Sequence, residues 1–374
     1  MNIVYLGKYT LNHFHASAGS KRVVNQIRYL QKYHRVRVIT VSRYSSDYAN
    51  SLNLRRYDNR FAYLAVLGFY WMYICFFLCV NKRAGKNVIM LESLIELNFS
   101  IPVVFGKLIG YKIVHDVIEN FFSEGREISA VSRINQVISR LFYKCIPMYT
   151  DAIIVISERL LREYSVFGMP ILKLYNSVEL SSGPLGGDRE RGPLTFLYSG
   201  TFGLKDGIKD ILEAFKGVSQ HYTDVKLVLT GRNNSEYFRD CMNLIEGSKT
   251  ISYLGYLQPN ILEVAYRNAD VLLAIRDNSE FADHGFPFKL SEYLSIGRPV
   301  IASAVSDIPM LFTDYENILL VKPSDVKSIE HKMRFVIENR HLLKDIAAKG
   351  YAKCIEYFSI EGIGEQMSAF LAGI

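Results

Sequence analysis

The chain has 374 residues, 49% of them hydrophobic, with a mean hydropathy of +0.08; it is too long for one small core and too apolar to be disordered. Its formal charge of +7 is unevenly spread, with 23 Lys and Arg against 12 acidic residues up to Leu180 and 21 against 25 beyond it. A basic first half favours anionic partners such as a membrane surface, a diphosphate lipid or nucleic acid. The five cysteines (Cys75, Cys79, Cys145, Cys241, Cys354) form no CxxC pair and no zinc-ligand spacing, as in a reducing compartment.

MNIVYLG runs straight into a strand pattern over Asn2–Leu6, so no signal peptide is expected. A polar loop comes next, then apolar residues at helical spacing (Val23, Val24, Ile27, Leu30), then a second strand at Val36–Val41. Strand, loop, helix, strand is the pattern of a doubly wound α/β domain. Phe61–Val80 carries no charge over 20 residues, and Lys82, Arg83 and Lys86 come after it. Its length would span a bilayer, but a span would put strands of one sheet on opposite sides of a membrane. A helix packed in the domain, one face exposed to a membrane interface, is the expectation; a fully buried helix and a true span are the alternatives.

Further strands are expected at Val88–Leu91, Lys112–His115 and Ala152–Ile156. The alternation breaks at Ser181–Pro193 (SSGPLGGDRERGP), whose Gly, Pro and charge read as a linker. It then restarts with strands at Leu194–Ser199, Lys226–Thr230, Val271–Ile275, Pro299–Ser303 and Asn317–Val321. Helices are expected at Ile208–Val218, Leu262–Asn268 and Leu290–Ile296, and two more within Val326–Tyr351. The expected domains are residues 1–180 and 194–355, with a C-terminal helix in 356–374 packing back on the first.

The strongest chemical signal is GFPFKLSEYLSIGRPVI, Gly285–Ile301. A turn of Gly285, Phe286 and Pro287 leads through Phe288 into a helix carrying Lys289 and Glu292, which stops at Gly297. Helix N-termini offer free N–H groups and a positive dipole end, a seat for phosphate. A lysine in the first turn opposes that dipole, and makes sense there if an anion is bound. Glu292, one turn on, is placed to accept hydrogen bonds from a ribose diol.

This segment resembles the donor site of the retaining GT-B glycosyltransferases of family four (glycosyl transferases group 1), where a turn, a helix with a glutamate and G-x-P-V-I bind the nucleotide sugar. Here the turn is FPFK, the glutamate Glu292 and the closing string Gly297-Arg298-Pro299-Val300-Ile301. The family's other glutamate falls on His284, so it is absent. Tyr198-Ser199-Gly200-Thr201 with Gly207, Leu229-Thr230-Gly231, Tyr253-Leu254-Gly255, Ala269-Asp270-Val271 and Asn176-Ser177-Val178-Glu179 fit the family's other strings in order. The family's Arg after the first of these glycines and Lys before the second are here Thr201 and Asp206.

The resemblance implies α/β architecture of GT-B type, with two Rossmann-like doubly wound domains facing a cleft, acceptor-side first and nucleotide-sugar-binding second. Its diphosphate must be neutralised, by Lys289 first, Arg232 second and Lys205 third, with Gly200 and Thr201 adding backbone and hydroxyl donors. Gly19, in the loop before the first helix, is the expected close approach to the phosphates. His115 and Asp116, at the end of a strand, are the expected catalytic pair, with Glu119 and Glu124 as acceptor contacts. No D-x-D, Walker A string or H-E-x-x-H occurs, so neither metal nor cofactor is expected, the nucleotide sugar being a co-substrate. The implied reaction is sugar transfer with retained configuration; the basic first half with its apolar helix adds the expectation of a saccharide or polyprenyl-diphosphate-linked acceptor held at a membrane, in surface-polysaccharide assembly. The place implied is cytoplasmic, on the inner face of the membrane against anionic lipid, with no nucleic-acid partner. An epimerase of the same architecture and a non-catalytic sugar-nucleotide-binding protein are the rival readings.

Overall fold

Short apolar runs become the strands of two all-parallel sheets in a computed structural model, which describes residues 1–11, 17–42, 50–55, 60–92, 97–119, 137, 140–141, 143–181, 183, 192–232 and 235–374. The first sheet holds β1 (Asn2–Gly7), β2 (Arg35–Ser42), β3 (Ser51–Arg55), β4 (Asn87–Glu92), β5 (Lys112–Val117), β6 (Ala152–Val155) and β7 (Ile171–Lys173). Their order is β3-β2-β1-β4-β5-β6-β7. The second holds β8 (Leu194–Gly200), β9 (Val225–Gly231), β10 (Ile251–Tyr253), β11 (Val271–Ala274), β12 (Val300–Ser303) and β13 (Leu319–Val321), in the order β10-β9-β8-β11-β12-β13. Parallel strands carry helices on their faces and read as near-continuous hydrophobic runs. β1, β6, β11 and β12 are accordingly buried along their whole length.

In each sheet the chain winds outward one way and then returns to wind the other. The reversal falls between β1 and β4 in the first sheet and between β8 and β11 in the second. Loops at the carboxyl ends of strands diverge at such a point and leave a crevice for a ligand. In the second sheet the two diverging loops are those that leave Gly200 and Ala274.

The chain divides into one unit of Met1–Ser177 with Ile360–Ile374 and another of Val178–Ser359. The crossing back comes at Ile360, a few residues later than the expected 356, because Phe358 still belongs to the second core, its ring 5.4 Å from that of Phe286. The terminal helix Ile360–Gly373 lies on the helix Ala18–Leu30, with Gly364 against the Tyr29 ring so closely that an added Cβ would stand 2.1 Å from Cγ. Most of the expected linker 181–193, and Glu124, lie outside the described residues. Helix Arg60–Asn81 packs Leu67, Ile74 and Leu78 inward. Among the described residues no helix is long and apolar enough to cross a membrane.

Candidate functional site

Two loops converge where the second sheet reverses. After β8 the chain passes through Phe202, a buried residue in the left-handed region (φ 51°), and a 3-10 turn, Leu204–Asp206, that closes at Gly207 (φ 56°). Phe202 is held there by edge-on contacts with Tyr198, Phe238 and Tyr253. After β11 comes Arg276, whose backbone N–H donates to Ser303 Oγ (2.9 Å) and whose carbonyl accepts from the same hydroxyl (2.9 Å). The loops are stitched by Asp277 N–H donating to the Lys205 carbonyl at 3.0 Å.

At their junction lies a buried carboxylate. Asp206 accepts from Lys289 Nζ at 3.1 Å and lies 3.9 Å from Arg276 Nε. Its other oxygen accepts from the Gly203 N–H (3.2 Å) and from Thr201 Oγ1 (3.4 Å). Burial alone would raise the Asp206 pKa, but the cations of Lys289 and Arg276 hold it well below the usual carboxylate range. Burial pushes the Lys289 ammonium down, and the attraction of Asp206 opposes that shift. Lys289 also donates to the Tyr198 hydroxyl (3.1 Å) and sits 4.3 Å from the centre of that ring. Only 13% of the Lys289 side chain and 14% of Arg276 is exposed. Two nearly buried cations thus share one carboxylate, and Arg276 Nε, buried, has no hydrogen-bond partner among the described residues. Within this cluster, the Asp206 carboxylate is shared by both cations.

Lys289 reaches this point because its helix, Phe288–Ile296, starts beside the β8 end. Tyr293 ties the two together, its hydroxyl accepting from Ser199 N–H (3.0 Å) and donating to Ser199 O (3.2 Å). Pro287, at the cap position, has no side-chain acceptor for the first-turn N–H groups. Phe286, Pro287 and Phe288 are buried and anchor the turn. Gly200 leaves the floor open: a Cβ there would stand 2.8 Å from Lys289 Nζ and 2.1 Å from the Tyr198 hydroxyl. Gly231, at the neighbouring strand end, lies so close to the Gly200 carbonyl that only glycine fits.

Of the sequence-predicted donor residues, Gly200, Thr201, Lys205 and Lys289 come together here. Gly285 adjoins them on the turn, and Glu292 lies one turn further along, its charge acting on Lys289. His284, at the position of the family's missing glutamate, is buried with Nδ1 on the Glu280 carbonyl of its own short helix. Arg232 is exposed and stacks on Tyr256, 3.9 Å from its ring centre. It follows Gly231, which pairs with Gly200 at the neighbouring strand end. Sequence reasoning missed Arg276 and Asp206 as partners. The available signal was a charged residue just past a buried strand at a reversal point.

In the first unit, Ser17 caps helix Ala18–Leu30 by accepting from Ser20 N–H. Gly19 packs on Glu92 at the end of β4, where an added Cβ would lie 2.3 Å from its Oε1. His115 and Asp116 point to opposite faces of β5. His115 is wholly buried, edge-on to Tyr149 at 5.6 Å. Asp116 takes two charge-assisted bonds from Arg22 (2.8 and 2.9 Å) and one from Gln26 (2.8 Å). Both side chains are thus buried at the carboxyl end of β5. Arg22 also donates to the Leu174 and Tyr175 carbonyls (3.0 and 2.8 Å), so it joins β5 to the chain beyond β7. Removing one member of such a buried pair strands the other charge. Arg22→Ala should cost about 3–5 kcal/mol, read as a lower urea midpoint; an unchanged midpoint contradicts a structural role for the Arg22–Asp116 pair.

Residues 187–353 match the family Glycosyl transferases group 1. A phosphatidyl-myo-inositol mannosyltransferase of Mycobacterium leprae (strain TN) is 27% identical over 193 residues, 50% of this chain and 50% of that protein. The match therefore spans only half the length of that relative. Among solved structures, sucrose-phosphate synthase (tll1590) from Thermosynechococcus elongatus superposes with a TM-score of 0.75 at 17% identity, covering 100% of this chain and 99% of the other. Anabaena Alr3699/HepE in complex with UDP-glucose gives 0.73 at 12% identity, covering 100% of both. The architecture is GT-B, two Rossmann-like parallel-sheet domains, and with the domain match these likenesses support a glycosyltransferase.

Proposed function

We propose that this chain transfers a sugar from a nucleotide-sugar donor whose diphosphate is neutralised by Lys289 and Arg276. The observation that carries this reading is the cluster of two nearly buried cations on one carboxylate, at the reversal point of a parallel sheet. A diphosphate is held by both cations, and the first-turn N–H groups of helix Phe288–Ile296 add to its seat. Lys205 extends the positive field outward, and Glu292 accepts from the ribose diol. The site lies within the part of the chain that matches the glycosyltransferase family.

Chemically, the cluster lowers the barrier by stabilising charge on the departing diphosphate. We assign transfer with retained configuration, as in family four. The leaving oxygen then assists the incoming hydroxyl on the same face, and the protein contributes position and charge rather than a metal ion. His115 and Asp116, at the end of β5, are in this reading the pair that acts on the transferred sugar and the acceptor. A saccharide or polyprenyl-diphosphate-linked acceptor in surface-polysaccharide assembly is the acceptor class. The M. leprae relative's name adds mannose and a phosphatidylinositol to the substrates worth screening.

The test is a panel of nucleotide sugars read by thermal shift, then by product analysis with and without acceptor. A ligand that binds only the folded chain at 100 times its Kd adds about 2.7 kcal/mol, a clear upward shift. An epimerised donor in the absence of acceptor sinks the transferase reading in favour of an epimerase. Binding with no turnover of any acceptor leaves a sugar-nucleotide-binding protein.

A further inference from the structure

Helix Arg60–Asn81, without a charge from Phe61 to its end, has two apolar faces, and only one is used by the core. Leu67, Ile74 and Leu78 point inward. Phe69, Met72, Tyr73, Phe76 and Val80 recur at spacings of three and four residues on the other side, and all are exposed. The neighbouring helix Leu97–Leu108 repeats the arrangement, with Phe99 and Val103 inside and Ile101, Val104 and Leu108 outside. A groove of about 510 Å³ runs between them, bounded by Trp71, Met72, Cys75 and Ile101. Contiguous exposed apolar surface on this scale marks an interaction site.

The charges beside it select the partner. Lys82 and Arg83, both exposed, come directly after the long helix, and Lys82 Nζ lies 3.6 Å from where a Cβ on Gly110 would stand, just past the second helix. Arg37 lies over the Phe77 ring at 5.6 Å, and Arg35 sits among the like charges of Arg37 and Arg83. Lys107 and Lys112 share the single carboxylate of Asp151, and neither helix carries an acidic residue. Lys86 is engaged by the Ala372 carbonyl and does not count toward this ring. Aromatic and aliphatic side chains bordered by cations suit the boundary between acyl chains and anionic headgroups.

We infer that the two-helix face of the first unit, centred on Phe69, Met72 and Phe76 with Lys82 and Arg83 at its edge, docks on an anionic lipid bilayer. The apolar side chains sit at the acyl boundary, and the cations bind headgroup phosphates. This inference does not depend on the donor-site reading, since it uses other residues and another unit.

Trp71, the only tryptophan in the chain, reports directly on the groove. The full chain is titrated with vesicles of phosphatidylcholine alone and of equal parts phosphatidylcholine and phosphatidylglycerol. A blue shift of Trp71 emission is expected with the anionic vesicles, weakening as salt is raised. Lys82→Ala with Arg83→Ala should lower partitioning about 30-fold, at roughly fivefold for each basic residue. Phe69→Ser and Phe76→Ser, at exposed positions, should each lower it at least about tenfold. No shift, or equal partitioning into both compositions, overturns the inference. So does a shift without vesicles that grows with protein concentration, which makes a second copy of the chain the occupant.

Discussion

Lys289→Met should lower turnover of the donor by about 10²–10³-fold, the range seen when a single preorganised donor to developing charge is removed. The cause is burial. An ammonium with 13% of its side chain exposed, 3.1 Å from a carboxylate and over a tyrosine ring, cannot be replaced by water at little cost. Methionine keeps the length and the apolar contact with Tyr198 but removes the charge, so the loss reports on electrostatics rather than packing. Lys289→Arg is the informative companion: its planar fork does not fit a space already bounded by Tyr198 and Gly200, so it should restore only part of the activity. Donor affinity and turnover measured together separate ground-state from transition-state loss, and full activity in the methionine variant removes Lys289 from the site.

The second large effect belongs to Asp206. Burial pushes Lys289 toward the neutral amine and Asp206 holds it charged. In Asp206→Asn that support is gone and the positive charge of Arg276 remains, so the Lys289 pKa falls further. The ammonium exists below its pKa and is lost as pH rises through it. Donor binding by the variant should therefore weaken with rising pH across a range where the wild type is flat, by about tenfold per pH unit once the amine dominates. Stability carries the opposite signature in the wild type. Asp206 titrates well below an unfolded carboxylate, so its contribution is present above about pH 4 and is lost as pH falls toward its folded value. Parallel donor-binding profiles for the two proteins would show that Asp206 does not govern the charge on Lys289.

How much of the fold and site is legible in the sequence depends on where each signal sits. Strands such as β1, β4 and β6 are buried on both faces and read as unbroken apolar runs. The strands not anticipated, β3 (SLNLR), β7 (ILK) and β10 (ISY), lie at sheet edges, where pairing with one neighbour and partial exposure remove that pattern. Lys289 is legible because a lysine in the first turn contradicts the helix dipole and demands an anion. Part of that anion proves to be the chain's own Asp206. This partner is invisible in one dimension, since it lies 83 residues away and meets Lys289 only once β8 and β11 are neighbours. Arg276 is hidden for the same reason. Asp116 stands out for its place at a strand end, a position equally suited to ligand contact and to a buried ion pair; its partner Arg22, arriving from the first helix, is invisible in one dimension.

The most direct test compares a nucleoside diphosphate with the free nucleoside of the same base, titrated calorimetrically against wild type and against Lys289→Met with Arg276→Met. The diphosphate is expected to bind the wild type at least about 100-fold tighter than the nucleoside does, two charged hydrogen bonds each contributing roughly 1.5–3 kcal/mol. Most of that advantage should vanish in the double variant, while the nucleoside binds both proteins alike. A diphosphate advantage that survives the loss of both cations would place the phosphates elsewhere and contradict the assignment.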